Sequence, residues 1–277
     1  MRVAANGIRF NCAVEGPEGA PWVTLAASIA ADLTLWDAQV PALGEHCRVL
    51  RFDARGHGAT EATEPPYTLD LLVADVRALW DALGIARSHF VGLSLGGMIG
   101  IGLALDYPGR VASAVIANSR TEATPEFRAL WDERIAVAET DGMAGLVDST
   151  ARRWLTPGFI AANPDAVAKV RAMIGRCSVA GFVGAARALQ GLDLLPRLKE
   201  ISVPCLFIAG GEDGACPAGE IRAAASRVPG AEYVELSPAA HISNLEQPDA
   251  FNRAVTDFLV RHGRGAPAIR PGAGPTG

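Results

Sequence analysis

The chain has 277 residues, 49% of them hydrophobic, enough for one large domain or a core domain carrying an insertion. A formal net charge of −5 argues against a nucleic-acid binder, which would show a basic face. No apolar stretch reaches membrane-span length without glycine or charge, and Met1 to Gly16 hold no signal-peptide core, so a cytoplasmic chain with no membrane partner is expected. The five cysteines, Cys12, Cys47, Cys177, Cys205 and Cys216, are scattered and form no C-x-x-C. They read as free thiols of a reducing compartment, and no metal site is expected.

Ile8, Phe10 and Cys12 alternate along a half-exposed strand between Gly7 and Val14, followed by a turn at Gly16-Pro17-Glu18-Gly19. Trp22 to Ala26 reads as a buried strand ending in Ala27-Ser28-Ile29-Ala30-Ala31. A short helix is expected over Trp36 to Leu43, then a strand over Cys47 to Phe52. Thr68 is the expected N-cap of a helix whose Leu71, Leu72, Val76, Leu79 and Leu83 share a face, stopped by Gly84. After His89-Phe90-Val91 and an apolar helix to about Asp106, a strand runs from Val111 to Ile116. This alternation predicts an α/β fold, a mostly parallel sheet with helices on both faces. From Thr124 to about Leu195 the pattern turns wholly helical. The sheet resumes at Val203 to Ile208 and at Glu232 to Leu236, and a last helix runs from about Pro248 to Arg261. The expected organisation is a core over 1–120 and 197–262, an inserted helical cap over 121–196 and a disordered Gly/Pro-rich tail over 263–277.

Gly92-Leu93-Ser94-Leu95-Gly96 lies between a strand and a helix, as a G-x-S-x-G nucleophile elbow does. A serine hydroxyl needs a base to take its proton, and the base needs an acid to fix its tautomer. Asp213 lies beyond the strand ending at Ile208, and His241 beyond the strand ending at Leu236. The order Ser, Asp, His at successive strand ends fits an α/β-hydrolase. Glu212 is a rival acid and His57 a rival base, although Arg-Gly-His-Gly reads as a structural turn. His46, His89 and His262 read as surface or packing residues, and Asn118 has no carboxylate to serve as the acid. The oxyanion donors are expected to be the backbone N–H groups of Leu95 and Ile29, with Ser28 as second candidate and pocket residue.

These segments resemble the 3-oxoadipate enol-lactone hydrolases of the α/β-hydrolase superfamily, from about Asn6 to His262. Carrying the resemblance are Leu35-Trp36-Asp37, Gln39-Val40-Pro41-Ala42-Leu43, Arg48 to Gly58, the elbow through Met98, Arg153-Trp154-Leu155-Thr156-Pro157, and His241-Ile242-Ser243-Asn244-Leu245-Glu246. The resemblance implies Ser94 as nucleophile, His241 as base, Asp213 as acid and Trp154 facing the pocket. The chain departs from the family at the oxyanion loop, where Asn-Ser-Leu-Gly-Thr is replaced by Ala27-Ser28-Ile29-Ala30-Ala31, and at Ser119 to Ala123.

The expected chemistry is acyl transfer from a small ester or lactone to water, without cofactor, in a monomer or homo-oligomer. If the substrate is a carboxylate, a cap arginine should meet it, with Arg120, Arg134, Arg152 and Arg153 as candidates. A general carboxylesterase, another lactonase and a carbon–carbon bond hydrolase would use the same triad, and a receptor or a cofactor-free acyltransferase would use the same fold. Ser94 disfavours a haloalkane dehalogenase, which needs Asp at the elbow.

Overall fold

The computed structural model describes residues 1–263, so all of the tail expected from 263 except its first residue lies outside the described residues. β1 (Arg2–Ala5) and β2 (Ile8–Glu15) form an antiparallel hairpin. Asn6 and Gly7 close it with φ values of 44° and 80°, the geometry for which Asn-Gly is suited. β3 (Trp22–Ala26) follows, then a single 3₁₀ turn over Leu33–Trp36, α1 (Val40–Gly44) and β4 (Arg48–Phe52). The helix expected over Trp36 to Leu43 is thus two pieces. Asp32 accepts from Thr34 N to start the first, and Pro41 sits in the first turn of the second.

α2 (Leu69–Ala82) starts at Thr68, whose hydroxyl accepts from Leu71 N at 3.1 Å. β5 (Ser88–Leu93), α3 (Leu95–Asp106) and β6 (Val111–Ala117) complete the first half. Every residue of β5 is buried, and so is α3 from Leu95 to Ala104. An apolar helix without a polar face is stable only when covered all round, here by the sheet and α2.

Between β6 and β7 the chain is helical: α4 (Pro125–Asp141), α5 (Val147–Trp154), α6 (Pro157–Ala162), α7 (Pro164–Arg176) and α8 (Val179–Gln190), with 3₁₀ turns at Met143–Leu146 and Leu195–Glu200. Entry and exit of this insertion are tied together. Glu122 bridges Asp193, Ala123 N donates to Leu192 O, and Leu194 N donates to Thr121 O. Its far end docks on the core where α8 meets the Arg-Gly-His-Gly turn. A Cβ on Gly181 would stand 2.0 Å from Gly56 O, so backbone packs directly on backbone, and Ser178 Oγ donates to Gly56 O at 2.8 Å.

β7 (Cys205–Gly210), α9 (Ala218–Ala225), β8 (Glu232–Leu236), α10 (Ser243–Glu246) and α11 (Pro248–Gly263) follow. β7 starts two residues later than the pattern predicts, because Pro204 has no N–H to donate, although its C=O accepts from Ala114 N. The eight strands lie in the order β1-β2-β4-β3-β5-β6-β7-β8. Pairings among β4, β3, β5, β6, β7 and β8 are parallel, and β1 and β2 form the antiparallel edge. The loops after β3, β5, β6, β7 and β8 therefore open on one edge, where a doubly wound sheet gathers its functional residues. No single helix among the described residues is long and apolar enough to cross a membrane.

All five cysteines are free and buried. Burial lifts Cys12, Cys177 and Cys205 to about 12 and Cys47 to about 11, and Cys216 well above its ordinary range. A disulfide-exchange reagent at pH 8 is therefore expected to find five reactive thiols in guanidinium and none that reacts rapidly in native buffer. A thiol titrating at once in the native protein would contradict this burial.

Candidate active site

Ser94 links β5 to α3 with φ 56° and ψ −115°, a conformation an L-residue holds only where its surroundings impose it. The surroundings are tight. A Cβ at position 92 would lie 2.1 Å from Gly96 O, and one at position 96 would lie 2.0 Å from Ala26 O. Ser94 N donates to Ala117 O at 2.8 Å, at the end of β6. Ser94 O accepts from Met98 N at 3.0 Å and Ser119 Oγ at 2.9 Å. These contacts raise the hydroxyl at the start of a helix, where backbone N–H groups face outward.

The loop after β3 lies against that helix start, and Gly96 N donates to Ala27 O at 3.1 Å. Ala30 has φ 60°, so the loop carries a side chain in the left-handed region. Ile29 and Ala30 line the cavity above Ser94. Among the described residues, neither Ile29 N–H nor Leu95 N–H has a protein acceptor. Ser28 does not line the cavity; its hydroxyl is buried and finds no hydrogen-bond partner among the described residues.

The loops after β7 and β8 bring Asp213 and His241 together. Both are buried, with Nδ1 of His241 2.9 Å from Oδ2 of Asp213. Oδ1 accepts from Ala215 N at 2.8 Å and Cys216 N at 3.0 Å, and Oδ2 also accepts from Asn118 Nδ2 at 3.0 Å. Burial alone would raise this carboxyl, but His241 and the N–H donors hold it below its ordinary range. Ligand atoms of Asp213, Cys216 and His241 lie within 4.8 Å of one another. They fit a metal poorly, because both carboxylate oxygens are taken and burial keeps the thiol protonated.

Ser94 and His241 line one cavity beneath the inserted helices. Ser94 Oγ makes no hydrogen bond among the described residues; apo geometries of this kind are often loose. The insertion forms the roof. Trp154 lies beside the imidazole, ring centroids 6.3 Å apart, and Phe127, Trp131 and Phe182 add apolar wall. Arg134 and Arg153 also line it. Arg134 stacks on Trp131 and donates to Thr150 Oγ1 at 2.6 Å; burial and the charge of Arg153 lower it to about 10. Burial lowers Arg153 as well, and neither arginine meets a carboxylate within 4.0 Å among the described residues.

Arg120, also expected in the pocket, stands off this cavity. Its guanidinium donates to Ala215 O at 2.9 Å, pairs with Glu220 at 3.0 Å and lies over Phe127. Arg152 points out to solvent. Of the rivals, Glu212 is exposed, and His57 is buried away from the cavity with Nδ1 2.9 Å from Arg55 O. The sequence assigns no role to two residues that hold the site together. Asn118, at φ 48° just past β6, donates to Asp213 and to Ala240 O and accepts from Ser243 Oγ at 2.6 Å. Glu246 reaches back to Ala240 N. Asn118 was legible as a polar residue ending a central strand on the elbow's edge. Nothing local marks Glu246.

The alpha/beta hydrolase fold family model matches residues 21–248. The chain is 33% identical over 259 residues to 3-oxoadipate enol-lactonase 2 of Acinetobacter baylyi, covering 94% of this chain and 96% of that protein. A putative carbamate hydrolase RutD of Agrobacterium fabrum is 29% identical over 248 residues, covering 87% and 94%. Among solved structures, an enol-lactonase from Burkholderia xenovorans superposes with a TM-score of 0.91 at 38% identity, covering 94% of this chain and all of that one. A thermophilic esterase from Thermogutta terrifontis, at 23% identity and a TM-score of 0.89, covers 95% and 98% and shares the fold. The chain thus belongs to the α/β-hydrolase fold family and is an enzyme of the hydrolase class.

Proposed function

We propose that the protein is a serine hydrolase of small, carboxylate-bearing esters or lactones, with 3-oxoadipate enol-lactone as the leading substrate. The observation that carries this reading is the cavity itself. It holds a serine at a strained elbow, a histidine backed by a buried carboxylate, and two half-buried guanidinium groups with no carboxylate within 4.0 Å among the described residues. Half-buried guanidinium groups lining a cavity suit an anionic substrate, which would meet them with charge-assisted hydrogen bonds. The names of the relatives support the same substrate class.

Ser94 Oγ attacks the lactone carbonyl while His241 Nε2 takes its proton, and Asp213 holds the imidazolium through Nδ1–H. The N–H groups of Leu95 and Ile29 stabilise the oxyanion. Collapse of the tetrahedral intermediate breaks the ring C–O bond. The leaving enolate takes the proton from His241 and relaxes to the ketone. A water, deprotonated by His241, then attacks the acyl group on Ser94, and the proton returns to the serine as the acid leaves. Arg153 and Arg134 hold the substrate carboxylate under the aromatic roof.

Turnover of 3-oxoadipate enol-lactone should exceed that of a neutral ester such as p-nitrophenyl acetate in kcat/KM, and Ser94→Ala should abolish both. Arg153→Met should raise KM for the anionic lactone about tenfold or more, as expected for a charge-assisted contact of roughly 1.5–3 kcal/mol, while the neutral ester changes little. Equal effects on both substrates would remove the carboxylate assignment. No turnover of any ester or lactone by folded protein would remove the hydrolase assignment to this site.

A further inference from the structure

The peptide that precedes His241 is held from both sides. Ala240 O accepts from Asn118 Nδ2 at 3.2 Å, and Ala240 N donates to Glu246 Oε2 at 2.5 Å. Glu246 lies in α10, in the same loop as the histidine, and is 8% exposed. Its second oxygen does not stay within that loop. Oε1 accepts from Thr156 N at 2.9 Å and from Thr156 Oγ1 at 2.7 Å, ninety positions away in the chain.

Thr156 is the N-cap of α6, where the inserted helices turn between α5 and α6. Its hydroxyl donates to Glu246 and accepts from Phe159 N at 3.2 Å, so one side chain starts the helix and anchors it. Two residues earlier stands Trp154. Its carbonyl accepts from Ile242 N at 3.2 Å, and its indole lies beside the imidazole. Residues 154–156 and 240–242 are therefore joined along their length, with Glu246 buried at the junction.

We propose that Glu246 is a positioning residue that joins the inserted helices to the His241 loop, so that the seating of the roof sets where the imidazole stands. It touches no substrate. This inference rests on His241 being the base of the proposed reaction. A carboxylate suits the junction because it accepts hydrogen bonds at both ends, whereas an amide would turn an NH₂ toward one of the N–H donors. A displaced imidazole misaligns the proton transfer for any substrate, and misplacements of about 1 Å cost on the order of a hundredfold.

The test compares Glu246→Gln and Thr156→Val with the parent on both the anionic lactone and p-nitrophenyl acetate, below each variant's melting temperature. Glu246→Gln is expected to lower kcat about ten- to a hundredfold on both substrates with KM little changed. Thr156→Val is expected to lower kcat several-fold, and to add little in the double variant, because both act through one junction. Parental kcat in Glu246→Gln, or losses that multiply in the double variant, would overturn the inference. Should Glu246→Gln not fold, parental kcat in Thr156→Val would overturn it alone. His241→Ala and Ser94→Ala separate the two readings: if either retains activity, the proposed reaction fails at its base or nucleophile, whatever Glu246 does.

Discussion

The backbone at Ser94 is the constraint on which the site depends. A φ of 56° with ψ −115° would relax if the neighbouring chain gave way. It cannot, because Gly96 lies against Ala26 and Gly92 lies against the first turn of α3 with no room for a Cβ at either position. Ser94 N is bonded across to the end of β6 and Gly96 N to the loop after β3. The same contacts that impose the strain bring three strand ends to within a hydrogen bond of one another. The cavity is built on that meeting.

Around the elbow, polar contacts replace apolar packing. Asp213, Asn118, His241, Ser243 and Glu246 come from the loops after β6, β7 and β8, and each is buried. Buried polar groups are tolerated where each finds a partner, and such a network fixes geometry more tightly than side-chain packing can. Asn118 shows how. One amide bonds Asp213, the peptide before His241 and the hydroxyl of Ser243. The roof is placed by its own devices, backbone contact at Gly56 and Gly181 on one side and Glu246 with Thr156 on the other. Its Arg134 and Arg153 line the cavity above Ser94 and His241.

What could be read from the chain alone was local or ordered by topology. Thr68 and Thr124 cap the helices their spacing marks, since an N-cap acts within three residues. Ser94, Asp213 and His241 are found at strand ends because a parallel sheet delivers them to one edge. The inserted helices were legible as helices, but not which of their arginines turn inward. Arg120 has the nearest sequence position to the sheet, yet Ala215 O and Glu220 draw it away. The rotation of α4 and α5 on the core, set by distant packing, decides for Arg134 and Arg153. Glu246 was illegible for the same reason, as its partner is ninety residues off. The first hairpin is different: Asn6-Gly7 is a strong local turn signal, and β1 could have been read from it.

The central claim is that Ser94 is the nucleophile and His241 its base. The most direct measurement is active-site labelling with a fluorophosphonate, followed by peptide mass spectrometry. The account predicts one adduct per chain, on the peptide carrying Ser94, forming with loss of turnover and slowed by orders of magnitude in His241→Ala. An adduct on another residue, or full activity with Ser94 labelled, would contradict it.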